Sequence, residues 1–155
     1  MALPDDLVAQ ARLLASVDPT RPKQASLRRA VSTAYYAVFH LLTGAAAANW
    51  KNRDQRRSFE RTFDHGKMAK ASGRIGGQSF PNQDPRFVQH LRFVARAFVQ
   101  LQDKRHTADY DGNRHWSRTE VDKLIEVADQ AFASWRAVRK TKIAQDYLLQ
   151  FLVQR

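Results

Sequence analysis

The chain has 155 residues, a length that favours one domain with a buried core, and its 43% hydrophobic content excludes wholesale disorder. The absence of cysteine excludes disulfides, thiolate zinc sites and cysteine nucleophiles. The longest uncharged apolar stretch, residues 34–49, is too short and too polar to span a bilayer, and the N-terminus carries two acids where a signal peptide needs bases. We expect a cytoplasmic protein without a membrane partner.

The charge is strongly and unevenly positive. The chain has 26 basic and 15 acidic residues, a net charge of +11. Residues 51–74 hold eight basic and three acidic side chains, whereas residues 116–135 hold two and four. Such a field favours polyanionic partners, because each neutralised phosphate releases counterions. A solvated basic surface that meets an acidic protein fits the same pattern.

The first two predicted elements are helices. Helix one spans about residues 4–17, with two aspartates in its first turn, and the proline-containing turn 18–22 ends it. Helix two spans about residues 23–48. Its apolar stripe repeats every three or four residues and consists of Leu27, Val31, Ala34, Tyr35, Val38, Leu41 and Leu42.

The opposite face of helix two is aromatic and polar. At 100° per residue, Arg29, Tyr36 and His40 lie together there. A face this aromatic is seldom fully exposed. We therefore expect helix two to be central, and this face to meet either a second subunit or the segment 51–74.

The middle of the chain is predicted as a basic helix followed by a loop. Residues 52–71 have weak helical periodicity, with Phe59, Phe63 and Met68 turned inward. His65 follows an aspartate and is expected on a solvated helix face. Residues 72–83 hold three of the six glycines and a proline, a composition typical of a flexible loop.

Two further helices follow, and the tail is ambiguous. One begins at Asp84-Pro85 and its apolar stripe leads to Arg105 and then Asp109. The capping box of residues 117–120 begins the next helix. Residues 141–155 form either a separate helix or an extension of it. Together these elements predict one all-α domain over residues 1–155, an antiparallel up-and-down bundle of four to five helices.

Metal and cofactor chemistry find no support in the sequence. The histidines form no HxxxH or HExxH pair, and the glycines 73, 76 and 77 form neither a GxGxxG motif nor a P-loop. There is no GxSxG nucleophile motif. We expect neither a metal nor a cofactor. The histidines are His40, His65, His90, His106 and His115.

One segment at a helix end concentrates reactive side chains. Residues 105–111 place Arg105, His106, Asp109, Tyr110 and Asp111 together. In one interpretation Arg105 binds a phosphate, and His106 or Tyr110 serves as acid or base. In the other, Arg105 and Asp109 form a buried ion pair while Tyr110 covers the core.

Two motifs in the chain resemble the HEPN superfamily, whose name denotes higher eukaryotes and prokaryotes nucleotide-binding. The first is the RxAxSxAYYAxFH pattern of residues 28–40, and the second is the RxxADYD pattern of residues 105–111. Together they anchor most of residues 24–140 and resemble the small bacterial single-domain branch. The resemblance implies an antiparallel bundle that commonly forms a homodimer.

The resemblance also implies a class of function. Many HEPN proteins are metal-independent ribonucleases, often toxins paired with a nucleotidyltransferase-like antitoxin. In those, an arginine, a polar residue and a histidine five to seven positions later come from both subunits to one cleft. Arg105 and His106 match the first two, whereas Tyr110 stands near the place of the histidine.

Three functions follow for this chain. The first is a dimeric HEPN-like module that binds RNA, a nucleotide or a partner protein, with Arg29, Tyr36, His40, Asp109 and Asp111 as binding residues. The second is a metal-independent endoribonuclease that uses Arg105 with His106 or Tyr110. The third is a non-catalytic helical adaptor with a basic surface.

Overall fold

The computed structural model describes residues 2–153, and each regular element in that range is an α-helix. The predicted all-α class is therefore confirmed. A bilayer-spanning helix is absent from these residues, because none combines the necessary length with sufficient hydropathy. The described range has seven helices in place of the predicted four to five: α1 (Leu3–Ser16), α2 (Gln24–Ala48), α3 (Arg53–Glu60), α4 (His65–Gly77), α5 (Pro85–Tyr110), α6 (Arg118–Val138) and α7 (Lys142–Gln150).

Helix α2 is the central element of the fold. It packs against α1, α5 and α6, and it also contacts α3 and α7. The six consecutive residues 30–35 are all buried. Six residues exceed one full helical turn of 3.6, so neighbours cover α2 on all sides at this level. The predicted central position of this helix is confirmed.

The predicted loop over residues 72–83 is wrong for its first half, because α4 continues to Gly77. Met68, Ser72 and Ile75 lie on one face of α4 and are buried. The Ser72 hydroxyl also hydrogen-bonds the Tyr147 hydroxyl of α7 at 2.7 Å, a pairing buried in the core. The four glycines of α4 are exposed, so they weaken the helix without removing any core contact.

The single helix predicted over residues 52–71 is two helices. Helix α3 ends at Glu60, and Asp64 begins α4 by accepting a hydrogen bond from the Lys67 N–H at 3.0 Å. An aspartate at this position satisfies a free N–H of the first turn, which explains the break. Phe63, in the connection between them, is buried as predicted.

The tail forms a separate helix, which decides between the two alternatives for residues 141–155. Helix α6 ends at Val138, and the Thr141 side chain caps α7. Tyr147 and Phe151 are fully buried and pack edge to face, with ring centres 4.8 Å apart. Residues 154–155 of the predicted segment lie outside the described residues.

Half-buried arginines hold the C-terminal ends of four helices. The last carbonyl groups of a helix have no partner within that helix and need external donors. Each of these guanidinium groups donates to one or more such carbonyls from another part of the chain. The four are Arg28 at the end of α5, Arg56 at the end of α2, Arg92 at the end of α4 and Arg118 at the end of α1.

Arg28 and Arg118 each donate three hydrogen bonds to carbonyl oxygens, and those of Arg28 connect the two motifs. Arg28 donates to the carbonyl oxygens of Ala108, Asp111 and Arg114, at 2.9, 2.8 and 2.5 Å. These three carbonyls surround the C-terminal end of α5. Arg28 therefore ties α2 to the segment that carries the RxxADYD motif.

Candidate functional site

Aromatic and ionisable side chains meet where α2, the start of α4 and the second half of α5 come together. We name this group the Arg105 cluster. Tyr35 is fully buried, and the other members are half-buried. The cluster consists of Tyr35, Tyr36, Phe39, His40, His65 and Arg105.

The Arg105 guanidinium rests on two tyrosine rings. Its central carbon lies 5.1 Å from the ring centre of Tyr35 and 5.8 Å from that of Tyr36. Such cation–π contacts fix the guanidinium without using its hydrogen-bond donors. The Arg105 Nε is buried and has no hydrogen-bond partner in the part of the chain that the structure describes.

The predicted ion pair between Arg105 and Asp109 is present. The Arg105 Nη1 lies 3.6 Å from the Asp109 carboxylate, one helical turn further along α5. The Arg105 side chain is 13% exposed and that of Asp109 is 33% exposed, so the pair is only partly buried. A contact this long leaves donors of the guanidinium available to another anion.

His65 and Tyr35 form a hydrogen bond through the Tyr35 hydroxyl and the His65 Nδ1. Burial raises the pKa of Tyr35, against an opposing effect of Arg105, so the phenol keeps its proton. A phenol O–H is a stronger acid than an imidazole N–H, so we assign the hydroxyl as donor and Nδ1 as acceptor. The proton of neutral His65 is then on Nε2.

Both histidines of the cluster favour the neutral form. Burial lowers the pKa of His65, and the nearby Arg105 charge lowers it further, while Asp64 raises it. Burial also lowers the pKa of His40, against an opposing effect of Glu60. Neutral imidazoles both donate and accept protons, as general acid–base chemistry requires. Arg105 thus remains the positive charge of the cluster at neutral pH.

The other two predicted catalytic residues lie apart from the rings that hold Arg105. His106 and Tyr110 pack against each other, with ring centres 4.9 Å apart, and both are exposed. Tyr110 is 71% exposed, so the interpretation in which it covers the core is wrong. The two residues lie one helical turn apart on α5, so their rings meet on the solvent side of that helix.

The predicted binding residues separate into two groups. Tyr36 and His40 belong to the cluster, and Tyr36 meets His65 with ring centres 5.9 Å apart. This contact matches the alternative in which the face of helix two meets the segment 51–74. Arg29 is exposed two turns before Tyr36, and the Asp111 carboxylate accepts from the Asn113 N–H at 3.0 Å.

Sequence reasoning missed His65 and assigned Tyr35 to the core alone. His65 is half-buried, and its ring stacks on Phe39 with centres 4.3 Å apart, so the expected solvated position is wrong. His65 and Tyr35 are 30 residues apart on different helices, which periodicity along one helix does not relate. The available local signal was Asp64, a helix cap that places His65 at the first position of α4.

The cluster combines three chemical capacities. A guanidinium binds phosphate oxygens, neutral imidazoles transfer protons, and half-buried rings stack on nucleobases. Within residues 2–153, no group of three histidine or acidic side chains is arranged to hold a metal ion. Comparison of the chain with protein-family models, curated proteins and solved structures found no match.

Proposed function

We propose that the chain is a HEPN-like module that dimerises and binds single-stranded RNA at the Arg105 cluster. The antiparallel arrangement and the dimer that the resemblance implies are part of this proposal. The observation that carries it is the Arg105 guanidinium, which two tyrosine rings hold in place while its buried Nε lacks a hydrogen-bond partner in residues 2–153.

Electrostatics support a phosphate ligand at Arg105. The planar guanidinium matches two phosphate oxygens, and charge-assisted hydrogen bonds of this kind are about twice as strong as neutral ones. Asp109 is the sole carboxylate of the described residues within 4.0 Å of Arg105, and its contact of 3.6 Å is long. A phosphate oxygen with better geometry would compete with it.

The aromatic surface supports single-stranded RNA over other phosphate ligands. Tyr36, which contacts the guanidinium, and Phe39, His40 and His65, which pack with Tyr36 and with one another, each present a half-buried ring in the Arg105 cluster. Unstacked RNA bases pair their faces with such rings, at about 1–3 kcal/mol for each base. The basic residues of 51–74, a segment that includes His65, add favourable charge for an extended backbone.

The test is RNA binding by fluorescence anisotropy with a labelled 12-nucleotide single strand. Wild type should bind more weakly as salt rises, and Arg105→Ala should bind at least tenfold more weakly than wild type. Arg136→Ala is the matched control, because Arg136 is an exposed arginine of α6. Circular dichroism verifies that each variant folds. Equal affinities of wild type, Arg105→Ala and Arg136→Ala would contradict the proposal.

A second candidate function is metal-independent RNA cleavage, favoured by the two histidines of the Arg105 cluster, whose pKa values burial lowers. One imidazole would take the proton of a ribose 2′-hydroxyl, which attacks the adjacent phosphorus and expels the 5′-oxygen. A proton donor would protonate that leaving group, and Arg105 would stabilise the developing charge. The products are a 2′,3′-cyclic phosphate and a free 5′-hydroxyl.

Cleavage is tested with the same RNA in the presence of a chelator. Wild type should release fragments that end in a cyclic phosphate, and His65→Gln should lower the rate at least tenfold while RNA affinity changes less. Intact RNA with wild type would leave binding as the function and remove the catalytic candidate.

A further inference from the structure

An apolar groove lies at the C-terminal end of α2, where α3 and α7 meet it. We name it the α7 groove and define it by Ala46, Trp50, Phe59, Leu148, Leu149 and Leu152. Its volume is about 390 Å³. Ten residues of α2 separate Ala46 from Tyr36, a distance of about 15 Å along the helix. The groove is therefore separate from the Arg105 cluster.

The groove exposes large apolar side chains that the fold has left uncovered. Trp50, Leu149 and Leu152 are 46%, 58% and 38% exposed. The Trp50 ring stacks on Phe59 with ring centres 5.3 Å apart, and its Nε1 donates to the Gln55 side chain at 2.9 Å. These contacts fix the Trp50 ring in a position where it forms one wall of the groove. Exposed apolar surface concentrated in this way is typical of a binding site.

The two sides of the groove differ in charge. On the α7 side the polar groups are paired, Lys142 with Asp146 and Asn49 with Gln145, each at 2.7 Å. On the α3 side none of the basic residues has a carboxylate of residues 2–153 within 4.0 Å. Apart from Arg56, which caps α2, those residues are Lys51, Arg53, Arg57 and Arg61. With Asp54 and Glu60 in the same segment, they leave this side with a net positive charge. An apolar floor thus borders a basic edge.

We propose that the α7 groove binds an amphipathic helix of an acidic partner protein. Apolar side chains of that helix, spaced three and four residues apart, would pack on Trp50 and the leucines, while glutamates or aspartates would face α3. This commitment rests on charge complementarity. A second copy of this chain brings a net charge of +11, and even its acidic segment, residues 116–135, carries a net charge of only −2. RNA would place phosphates over an aliphatic floor that Leu148, Leu149 and Leu152 form.

The probe is a synthetic 15-residue peptide with leucines on one helical face and glutamates on the other. Trp50 reports binding directly, because Trp116 and Trp135 are buried at 1% and 3% exposure. We expect a saturable blue shift of tryptophan emission. Two control peptides, one with the same composition in scrambled order and one with lysine in place of glutamate, should bind at least tenfold more weakly.

Variants of this chain locate the binding surface. Leu149→Glu should weaken the designed peptide at least tenfold, and Arg57→Glu should weaken it several-fold. Leu13→Glu is the matched control, since Leu13 is a leucine on α1 with 67% exposure, and it should leave binding unchanged. Arg105→Ala should also leave peptide binding unchanged, which separates this proposal from the RNA proposal.

Three results would overturn the groove proposal. The first is equal affinity for the designed and scrambled peptides. The second is a change from dimer to monomer in light scattering on Leu149→Glu, which would assign the groove to a second copy. The third is displacement of the peptide signal by single-stranded RNA in the Arg105→Ala variant, which would make the groove an RNA surface.

Discussion

Arg28 and Arg105 are arginines of the two recognisable motifs, on α2 and α5, and their surroundings differ sharply. Arg28 donates three short hydrogen bonds to carbonyl oxygens around the end of α5. Arg105 has one long contact with Asp109, two aromatic rings and a buried Nε without a hydrogen-bond partner in residues 2–153. The donors of the first arginine are used within the fold.

This difference distinguishes an arginine that stabilises the fold from an arginine that is available to bind a ligand. Buried donors are satisfied in most proteins, because an unmet donor costs about 1–3 kcal/mol. Arg28 obeys this rule and stabilises the chain. Two arginines depart from it at Nε in residues 2–153, Arg105 and the capping Arg92. They differ in the rest of the guanidinium, because Arg92 donates to the Gln78 carbonyl, whereas Arg105 has one long contact with Asp109 and two tyrosine rings that hold its charge at a fixed place. The predictions below test whether the two arginines divide stability and binding between them.

Replacing Arg28 should have the largest effect on stability. Arg28→Gln removes charged donors from three carbonyls, and we expect the free energy of unfolding to fall by about 3 kcal/mol. Urea denaturation measures it. Arg29→Gln is the matched control, because Arg29 is exposed on the same helix. If Arg28→Gln lowered the free energy of unfolding by less than about 0.5 kcal/mol, Arg28 would not be the stabilising arginine of the pair.

Replacing Arg105 should show the opposite pattern. Arg105→Met keeps an apolar stem against the tyrosines and loses the partly exposed pair with Asp109 and the cation–π contacts. We expect a stability loss of about 1 kcal/mol, with a loss of RNA affinity of at least tenfold. Denaturation and fluorescence anisotropy on one preparation give both values. A large stability loss with unchanged affinity would make Arg105 structural.

Acid should destabilise the Arg105 cluster, whereas the peptide carbonyls around Arg28 do not titrate. Because burial lowers the pKa values of His65 and His40, the unfolded chain binds more protons than the folded chain at mildly acidic pH. Their contribution to stability is complete above about pH 6.5, the ordinary value for histidine, and is lost as pH falls toward the folded pKa values.

Thermal unfolding at pH 7.5 and pH 5.5 measures this loss. The difference between the two pH values should shrink in His65→Gln. It should stay as in wild type in His115→Gln, which replaces an exposed imidazole between α5 and α6. An unchanged difference in His65→Gln would show that His65 does not titrate with unfolding.

The smallest effect is expected at Tyr110. Its side chain is 71% exposed and contacts the exposed ring of His106, so Tyr110→Ala should change the free energy of unfolding by less than about 0.5 kcal/mol. RNA affinity should stay within about twofold of wild type. A tenfold loss of affinity would move the site toward the end of α5 and away from the two tyrosine rings.

The long helices were predictable because their capping residues and their apolar spacing indicate the same helix boundaries. At α5 the Asp84 side chain accepts from the Arg86 N–H at 2.9 Å, and at α6 Ser117 accepts from the Glu120 N–H at 3.2 Å, as capping patterns predict. The pair of Arg105 with Asp109 followed from helical spacing alone. These features depend on residues three or four positions apart.

The features that the sequence analysis did not predict depend on contacts between distant segments. Helix α4 was hidden by its glycines, although its buried positions keep a helical spacing, and Tyr147 of α7 supplies the partner of Ser72. The contact of His65 with Tyr35 depends on the path of the chain through α3. No local pattern encodes that path, so the sequence indicated Arg105 without its histidine neighbour.

The four arginine-capped helix ends alter what the net charge of +11 means for the outside of the molecule. The macrodipole of a helix places about half a negative elementary charge at its C-terminal end. A count of aspartates and glutamates omits these charges. Four such ends carry about two negative elementary charges in total, which leaves about +9 of the net charge of +11 for polyanions. We expect the salt dependence of RNA affinity to reflect this smaller surplus.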